Sequence, residues 1–275
     1  MENFNGNIFL NAGDLSSNRA FKYGDALFDT LKYSYNKIEF LEDHYFRLMA
    51  SMHLLRMKIP MNFTLEFYEE AILKTIDFSL NSDQFRIRVT IFRKNGGFYL
   101  PTSNDINYLI ETAPLIKTDF LKYEVDIFKD YFISSTFLST IKTSNRLINV
   151  LASIYAGENQ LQNCLLLNEY KQIVEAINGN IFVIKENQIC TPPLSEGCIN
   201  GIYRKKLIEL IQNHTTYELI EMPIIYTDLL NASEVFITNS IIGIQSVTHF
   251  KKKIYPIDIA LQLEKLMKKV NLNLD

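Results

Sequence analysis

Lys142 stands in the run Ser139-Thr140-Ile141-Lys142-Thr143-Ser144-Asn145-Arg146, directly ahead of a stretch whose apolar residues recur at helical spacing. Thr143, Ser144 or Asn145 could cap that helix. A lysine at a helix start feels the positive end of the dipole, and Arg146 adds to it, so the amine is expected to lose its proton more easily. Such an amine can attack a carbonyl and form a Schiff base. Two later segments are suited to an anion. Glu196-Gly197-Cys198-Ile199-Asn200-Gly201-Ile202-Tyr203-Arg204 places glycines and backbone N–H groups at a helix start, and Thr238-Asn239-Ser240 ends a strand with small hydrogen-bonding residues.

The elements that must position these groups can be read from pattern. Asn7 to Asn11 reads as a short strand, Arg19 to Asp25 as a turn punctuated by Gly24-Asp25, and Ala26 to Ser34 as a strand. Tyr35-Asn36-Lys37 turns into a strand at Ile38 to Leu41. Asp43 can cap a helix carrying Phe46, Met49, Met52 and Leu55, and a second helix is predicted over Leu65 to Leu80. In Phe85 to Phe92, Phe85, Ile87, Val89 and Ile91 share one face of a strand, with Arg86, Arg88 and Thr90 on the other. Asn107 to Thr112 is a further strand, and Ala113 to Phe120 is the expected interdomain connection.

Beyond it, strands and helices alternate. Val125 to Phe128 reads as a strand and Asn145 to Glu158 as a helix. Hairpins are predicted for Leu165 to Leu167 with Gln172 to Glu175, and for Ile181 to Ile184 with Gln188 to Cys190. Gly201 introduces a helix to about Asn213, Glu234 to Thr238 is a strand, and Pro256 to Val270 a last helix.

Composition removes several function classes. The 275 residues are 47% hydrophobic with a formal charge of −3, so the chain can bury a large core and has no basic stripe for nucleic acid. Lys251-Lys252-Lys253 is an isolated basic run, expected as a solvated turn. The start lacks a charged region followed by an apolar one, and no apolar stretch is long enough to cross a bilayer. Cys164, Cys190 and Cys198 have no Cys-x-x-Cys spacing, and the four histidines form no His-x-x-x-His pair. No metal is expected, and a reducing cytoplasm is.

Five elements in order carry a resemblance over nearly the whole chain. They are Tyr23-Gly24-Asp25-Ala26-Leu27-Phe28, His44-x-x-Arg47-Leu48, Lys142, Val174-Glu175-Ala176 with Asn180-Ile181-Phe182, and Thr191-Pro192-Pro193-Leu194 with Gly201-Ile202-Tyr203-Arg204. In this order they resemble the class IV aminotransferases, the pyridoxal phosphate enzymes of fold type IV. The resemblance implies a two-domain α+β and α/β fold, with a smaller domain at 1–115 and a larger cofactor-binding domain at 116–275. It implies that Lys142 carries pyridoxal 5'-phosphate as a Schiff base and that Glu175 pairs with the pyridine nitrogen, making the ring an electron sink. Arg47, the backbone N–H groups of Ile202 and Tyr203, and Asn239 and Ser240 would hold the phosphate. Tyr203 stands where the family usually has threonine.

Within the family, Lys142-Thr143-Ser144-Asn145-Arg146-Leu147 is similar to the aminodeoxychorismate lyases, whereas branched-chain aminotransferases carry tyrosine at the place of Leu147. Arg93-x-x-Gly96-Gly97-x-Tyr99 also resembles the lyase loop, and the Arg-x-His trap of D-amino-acid aminotransferases has no counterpart there. The lyase substrate carries two carboxylates, for which Arg88 and Arg93 are the candidate partners. An aminotransferase of branched-chain or D-amino-acid type is the alternative. Either way the expected substrate is a small amine bearing a carboxylate, and the resemblance implies a homodimer.

Overall fold

The computed structural model describes residues 2–4, 6–9, 17–80, 82–116 and 120–271. The last two residues of the expected Asn7 to Asn11 strand, and 117–119 of the expected connection, lie outside them. The chain forms two compact units, Met1–Thr118 with Lys142–Asn145, and Asp119–Ile141 with Arg146–Asp275. The four-residue return of the chain to the first unit carries Lys142.

The first unit holds β1 (Glu2–Phe4), β2 (Asn7–Phe9), α1 (Arg19–Tyr23), β3 (Ala26–Ser34), β4 (Lys37–Ile38), α2 (Leu41–Leu54), α3 (Leu65–Thr75), β5 (Phe85–Arg93) and β6 (Ile106–Pro114). Its six strands run in the order β2-β1-β6-β5-β3-β4, with antiparallel pairing throughout. The alternation read in β5 is the alternation observed: Phe85, Ile87, Val89 and Ile91 are buried. They lie on the side of the sheet against which α2 and α3 pack, and those helices bury Leu48, Met52, Tyr68 and Ile72.

Four local expectations need correction. The strand read over Ile38 to Leu41 ends at Ile38, and Leu41 already opens α2. The Arg19 to Asp25 turn contains a helical turn, Arg19–Tyr23, capped by the Asn18 side chain and closed by Gly24 at φ 63°, where glycine has no steric penalty. Asp43 lies inside the first turn of α2, where a carboxylate favours the dipole, and Phe40 occupies the cap. The helix from Leu65 ends at Thr75, and only a short 3₁₀ turn follows at Phe78–Leu80.

The second unit contains β7 (Glu124–Ile133), α4 (Leu147–Glu158), β8 (Asn163–Asn168), β9 (Ile173–Ala176), β10 (Asn180–Lys185), β11 (Gln188–Thr191), α5 (Ile202–His214) and β12 (Glu218–Glu221). It continues with α6 (Tyr226–Asn231), β13 (Glu234–Asn239), β14 (Gly243–Val247), β15 (His249–Phe250), β16 (Lys253–Ile254) and α7 (Asp258–Asn271). Two five-stranded sheets form, β12-β11-β10-β13-β14 and β16-β15-β7-β8-β9. Both predicted hairpins are antiparallel pairs, β8 with β9 and β10 with β11. The sheets share a core in which Leu165, Leu167 and Ile173 meet Ile181, Val183, Val235 and Ile237. The opposite parity of β8, Cys164 and Leu166, packs instead with Ala152 and Ala156 of α4. Burial on both faces explains why β8 is apolar at its four central positions, with a buried asparagine at each end.

Among the described residues no helix is long and apolar enough to cross a membrane, and no cluster of residues could hold a metal ion. The three cysteines are free and buried, and burial pushes the Cys164 and Cys198 thiols up to about 12. Lys251 pairs with Asp126, which gives the basic run a structural use.

Candidate active site

Lys142 is held by backbone pairing with β3. The Phe28 N–H donates to the Lys142 carbonyl at 2.9 Å, and the Ser144 N–H donates to the Ala26 carbonyl at 2.9 Å. That register puts the lysine on the Phe28 side of the strand, with Nζ 4.6 Å from the centre of the phenyl ring. The expected helix-start setting is therefore wrong. The helix begins at Leu147, with Arg146 at its cap and no capping side chain, and a helix dipole acts only over its first turn. Thr143 and Ser144 belong to the β3 pairing instead.

Arg88 reaches the same ring, its guanidinium carbon 3.9 Å from the Phe28 centroid, and its Nε–H donates to Thr90 Oγ1 at 3.4 Å. An amine and a guanidinium thus share one aromatic ring on one face of the sheet. Glu111 Oε2, on the neighbouring strand, lies 3.8 Å from Arg88 Nε.

Arg93 does not join them, which corrects the expectation for this residue. Its Nε–H donates to the Asp25 carboxylate at 3.0 Å, Nη1 to Asn104 Oδ1 at 2.6 Å, and Nη2 to the Leu55 carbonyl at 2.8 Å. A guanidinium engaged in this way ties the strand end to neighbouring loops. Its parity, shared with Phe85 to Ile91, could have said so. Sequence reading also missed Arg19, which is buried, pairs with Asp25 at 2.9 Å and donates to the Gly96 and Phe98 carbonyls at 2.9 and 2.7 Å. The two arginines and Asp25 shape the Gly96-Gly97 loop.

Arg47 projects from α2 and donates to Asp29 Oδ1, and the same oxygen lies 3.0 Å from His44 Nδ1. Burial by itself would raise the Asp29 carboxyl. Arg47, His44 with its hydrogen bond, and Lys142 together outweigh this and hold it well below the usual carboxylate range. Asp29 was not singled out in the sequence, although it is the one acid between the buried positions Leu27 and Leu31.

In the second unit Glu175 is buried on β9, and its Oε2 accepts the Ile199 N–H at 2.8 Å. Arg146 donates to the Ile141 carbonyl at 2.7 Å and lies in the field of Glu175. Asn180 donates to the Ile199 carbonyl at 2.9 Å. A Cβ on Gly201 would come within 2.1 Å of Asn180 Oδ1, so a larger residue at the cap of α5 would have to displace the Asn180 side chain from its bond to Ile199. No side chain caps that helix. Directly opposite Asn180, on β13, Thr238 Oγ1 is buried without a hydrogen-bond partner.

The following turn requires another correction. The Asn239 side chain donates to the Asn178 carbonyl and accepts the N–H groups of Ile241 and Ile242, so it organises the turn and is not available to a ligand. Tyr203, where threonine was expected, lays its ring end against Gly243, with Oη 3.2 Å from where a Cβ would stand. Gly243 has φ 81°, a backbone state that glycine permits.

Residues 26–250 match the amino-transferase class IV family. The chain belongs to that family. Aminodeoxychorismate lyase of Vibrio harveyi is 25% identical over 237 residues, 84% of each chain. A putative branched-chain-amino-acid aminotransferase of Methanocaldococcus jannaschii is 29% identical over 226 residues, covering 79% of this chain and 76% of that protein. The branched-chain amino acid aminotransferase of Thermobaculum terrenum, solved in its PLP-form, aligns with a TM-score of 0.85 at 21% identity, over all of this chain and 94% of that one. This class IV chain is an enzyme with the fold of those proteins. The second unit's residues fit a phosphorylated pyridine: an uncapped helix start at α5, an orphaned buried hydroxyl at Thr238 and a buried carboxylate at Glu175.

Proposed function

We propose that this class IV enzyme is a lyase that converts 4-amino-4-deoxychorismate into 4-aminobenzoate and pyruvate, supplying an aromatic precursor of folate. The cofactor is pyridoxal 5'-phosphate. When bound, its ring supplies an electron sink for the carbon that bears the substrate amine. Lys142 would hold it through the side-chain amine, and the same amine would take the proton from that carbon. Glu175, buried and fixed by the Ile199 N–H, holds the ring nitrogen in its protonated state. Arg47, the Ile202 and Tyr203 backbone and Ser240 hold the phosphate, and Arg88 receives a substrate carboxylate. As Lys142 takes the proton, the electron pair would move to break the carbon–oxygen bond, and the enolpyruvyl group would leave as an enolate that regains a proton from the Lys142 ammonium and becomes pyruvate. The carbon ring becomes aromatic, which drives the reaction forward.

The observation that carries this reading is the segment Asn145-Arg146-Leu147. It puts an apolar Leu147, 69% exposed, where a branched-chain aminotransferase would carry tyrosine. Gly24 keeps room for its neighbour: a Cβ there would collide with Asn145 Oδ1 at 1.7 Å. The test mixes the holoenzyme with 4-amino-4-deoxychorismate and follows 4-aminobenzoate fluorescence, with Lys142→Ala as control. Fluorescence that grows only with the intact protein is the expected result. No product, with a cofactor absorbance that changes on adding amino acids, turns the assignment to an aminotransferase. One observation favours that second reading: Arg93 is occupied, which removes one of two arginines assigned to a two-carboxylate substrate.

The assembly is a homodimer. In support, α4 leaves Leu147, Val150 and Ile154 exposed along one helical stripe. Light scattering at the monomer mass would contradict this. The three buried thiols suit a reducing cytoplasm.

A further inference from the structure

We infer that Asp29 and His44 are positioning residues which aim Arg47 at the cofactor phosphate, an inference that rests on the reading of Arg47 as a phosphate ligand. Asp29 Oδ1 is the meeting point. It accepts from Arg47, from His44 Nδ1 at 3.0 Å and from the Thr30 N–H at 2.7 Å. The strand therefore fixes the carboxylate, and the carboxylate fixes two side chains one helical turn apart on α2.

Packing alone does not account for this arrangement. Asp29 and His44 are fully buried, and Asp29 Oδ2 and His44 Nε2 have no hydrogen-bond partner. The phenol of Tyr68, close enough to feel Asp29 and Arg47, is likewise buried without one. A buried ionic cluster with orphaned atoms costs stability relative to apolar side chains of similar volume. Its consequence lies at the rim: the Arg47 side chain keeps 14% of its surface while Asp29 keeps 2%. The pair thus holds an arginine, in one rotamer, at the edge of a core. Pre-organisation of that kind raises affinity because the guanidinium loses little further freedom on binding.

The test is the phosphate selectivity of the apoenzyme, the ratio of its dissociation constants for pyridoxal and pyridoxal 5'-phosphate, measured by absorbance titration. Arg47→Ala is expected to lower the ratio about 100-fold, as for loss of a charge-assisted contact, and Asp29→Asn about 10-fold, with pyridoxal affinity unchanged. Adding Asp29→Asn to Arg47→Ala should lower it no further, because the two act through one contact. Wild-type selectivity in Asp29→Asn, beside a lost selectivity in Arg47→Ala, overturns the inference and leaves the Arg47 reading standing. Unchanged selectivity in Arg47→Ala overturns both. If Asp29→Asn does not fold, His44→Gln decides: a loss of about threefold supports the pair, and no loss overturns it.

Discussion

The two faces of β3 differ in what they do with charge. On one side Phe28 lies under the Lys142 amine and the Arg88 guanidinium, and all three side chains remain partly exposed. On the other, one residue along, Asp29 is buried with His44 and against Arg47. The open face can meet a substrate. On the closed face Asp29 and His44 are covered by their neighbours and act by holding Arg47, whose side chain alone of the three reaches the rim. One strand therefore presents two cations on one face and braces Arg47 on the other, using nothing more than the two-residue period of the pleat.

That contrast can be broken in four ways. Lys142→Ala, on the open face, should lower kcat by about 10⁴-fold or more while the fold persists, checked by steady-state kinetics beside circular dichroism. Asp29→Asn, on the closed face, should lower unfolding stability at neutral pH by about 3 kcal/mol in a denaturant titration, because it leaves Arg47 without its buried partner. The pH dependence has a definite sign. The folded-state carboxyl lies below its ordinary value of 3.8, so its stabilisation is present above about pH 5 and disappears as pH falls towards the folded value. The difference between wild type and Asp29→Asn should shrink in acid. A difference that grows in acid would contradict the pairing with Arg47, His44 and Lys142.

The smaller effects sharpen the comparison. Arg88→Ala should raise KM about 100-fold and leave cofactor retention unchanged, as expected for loss of a carboxylate partner. Equal loss of cofactor and substrate would remove Arg88 from the substrate role. Phe28→Leu takes away the ring beneath both cations and should cost only about threefold in kcat/KM, the size of one partly exposed cation–π contact. An effect comparable to that of Lys142→Ala would mean that the ring does more than support.

Much of this was legible in the chain, for reasons that differ by region. The bounds Ala26–Ser34 of β3 follow from β-rich composition between Gly24-Asp25 and the Tyr35-Asn36 turn, and β5 follows from strict alternation. The start of α5 is set by Gly201, a position where any Cβ would strike Asn180. Elements of five residues or fewer, such as α1 and β12, are too short to show a period. Lys142 and Glu175 were singled out through ordered motifs, but a helix start is not what holds Lys142. A backbone pairing between residues 26–28 and 142–144 has no local signature. Arg93 was assigned to the substrate and Asp29 was passed over, although both were legible. Each is a charged residue at a buried parity, where it must find partners inside the protein, and the partners determine its role.

The central claim is that the open face of β3 presents Lys142 as the amine that carries the cofactor. Borohydride reduction of the holoenzyme, followed by peptide mass spectrometry, tests it directly. The account predicts a phosphopyridoxyl group on the peptide containing Lys142 and on no other lysine. A label on a different lysine, or a protein that takes up pyridoxal 5'-phosphate and yields no labelled peptide, would contradict it.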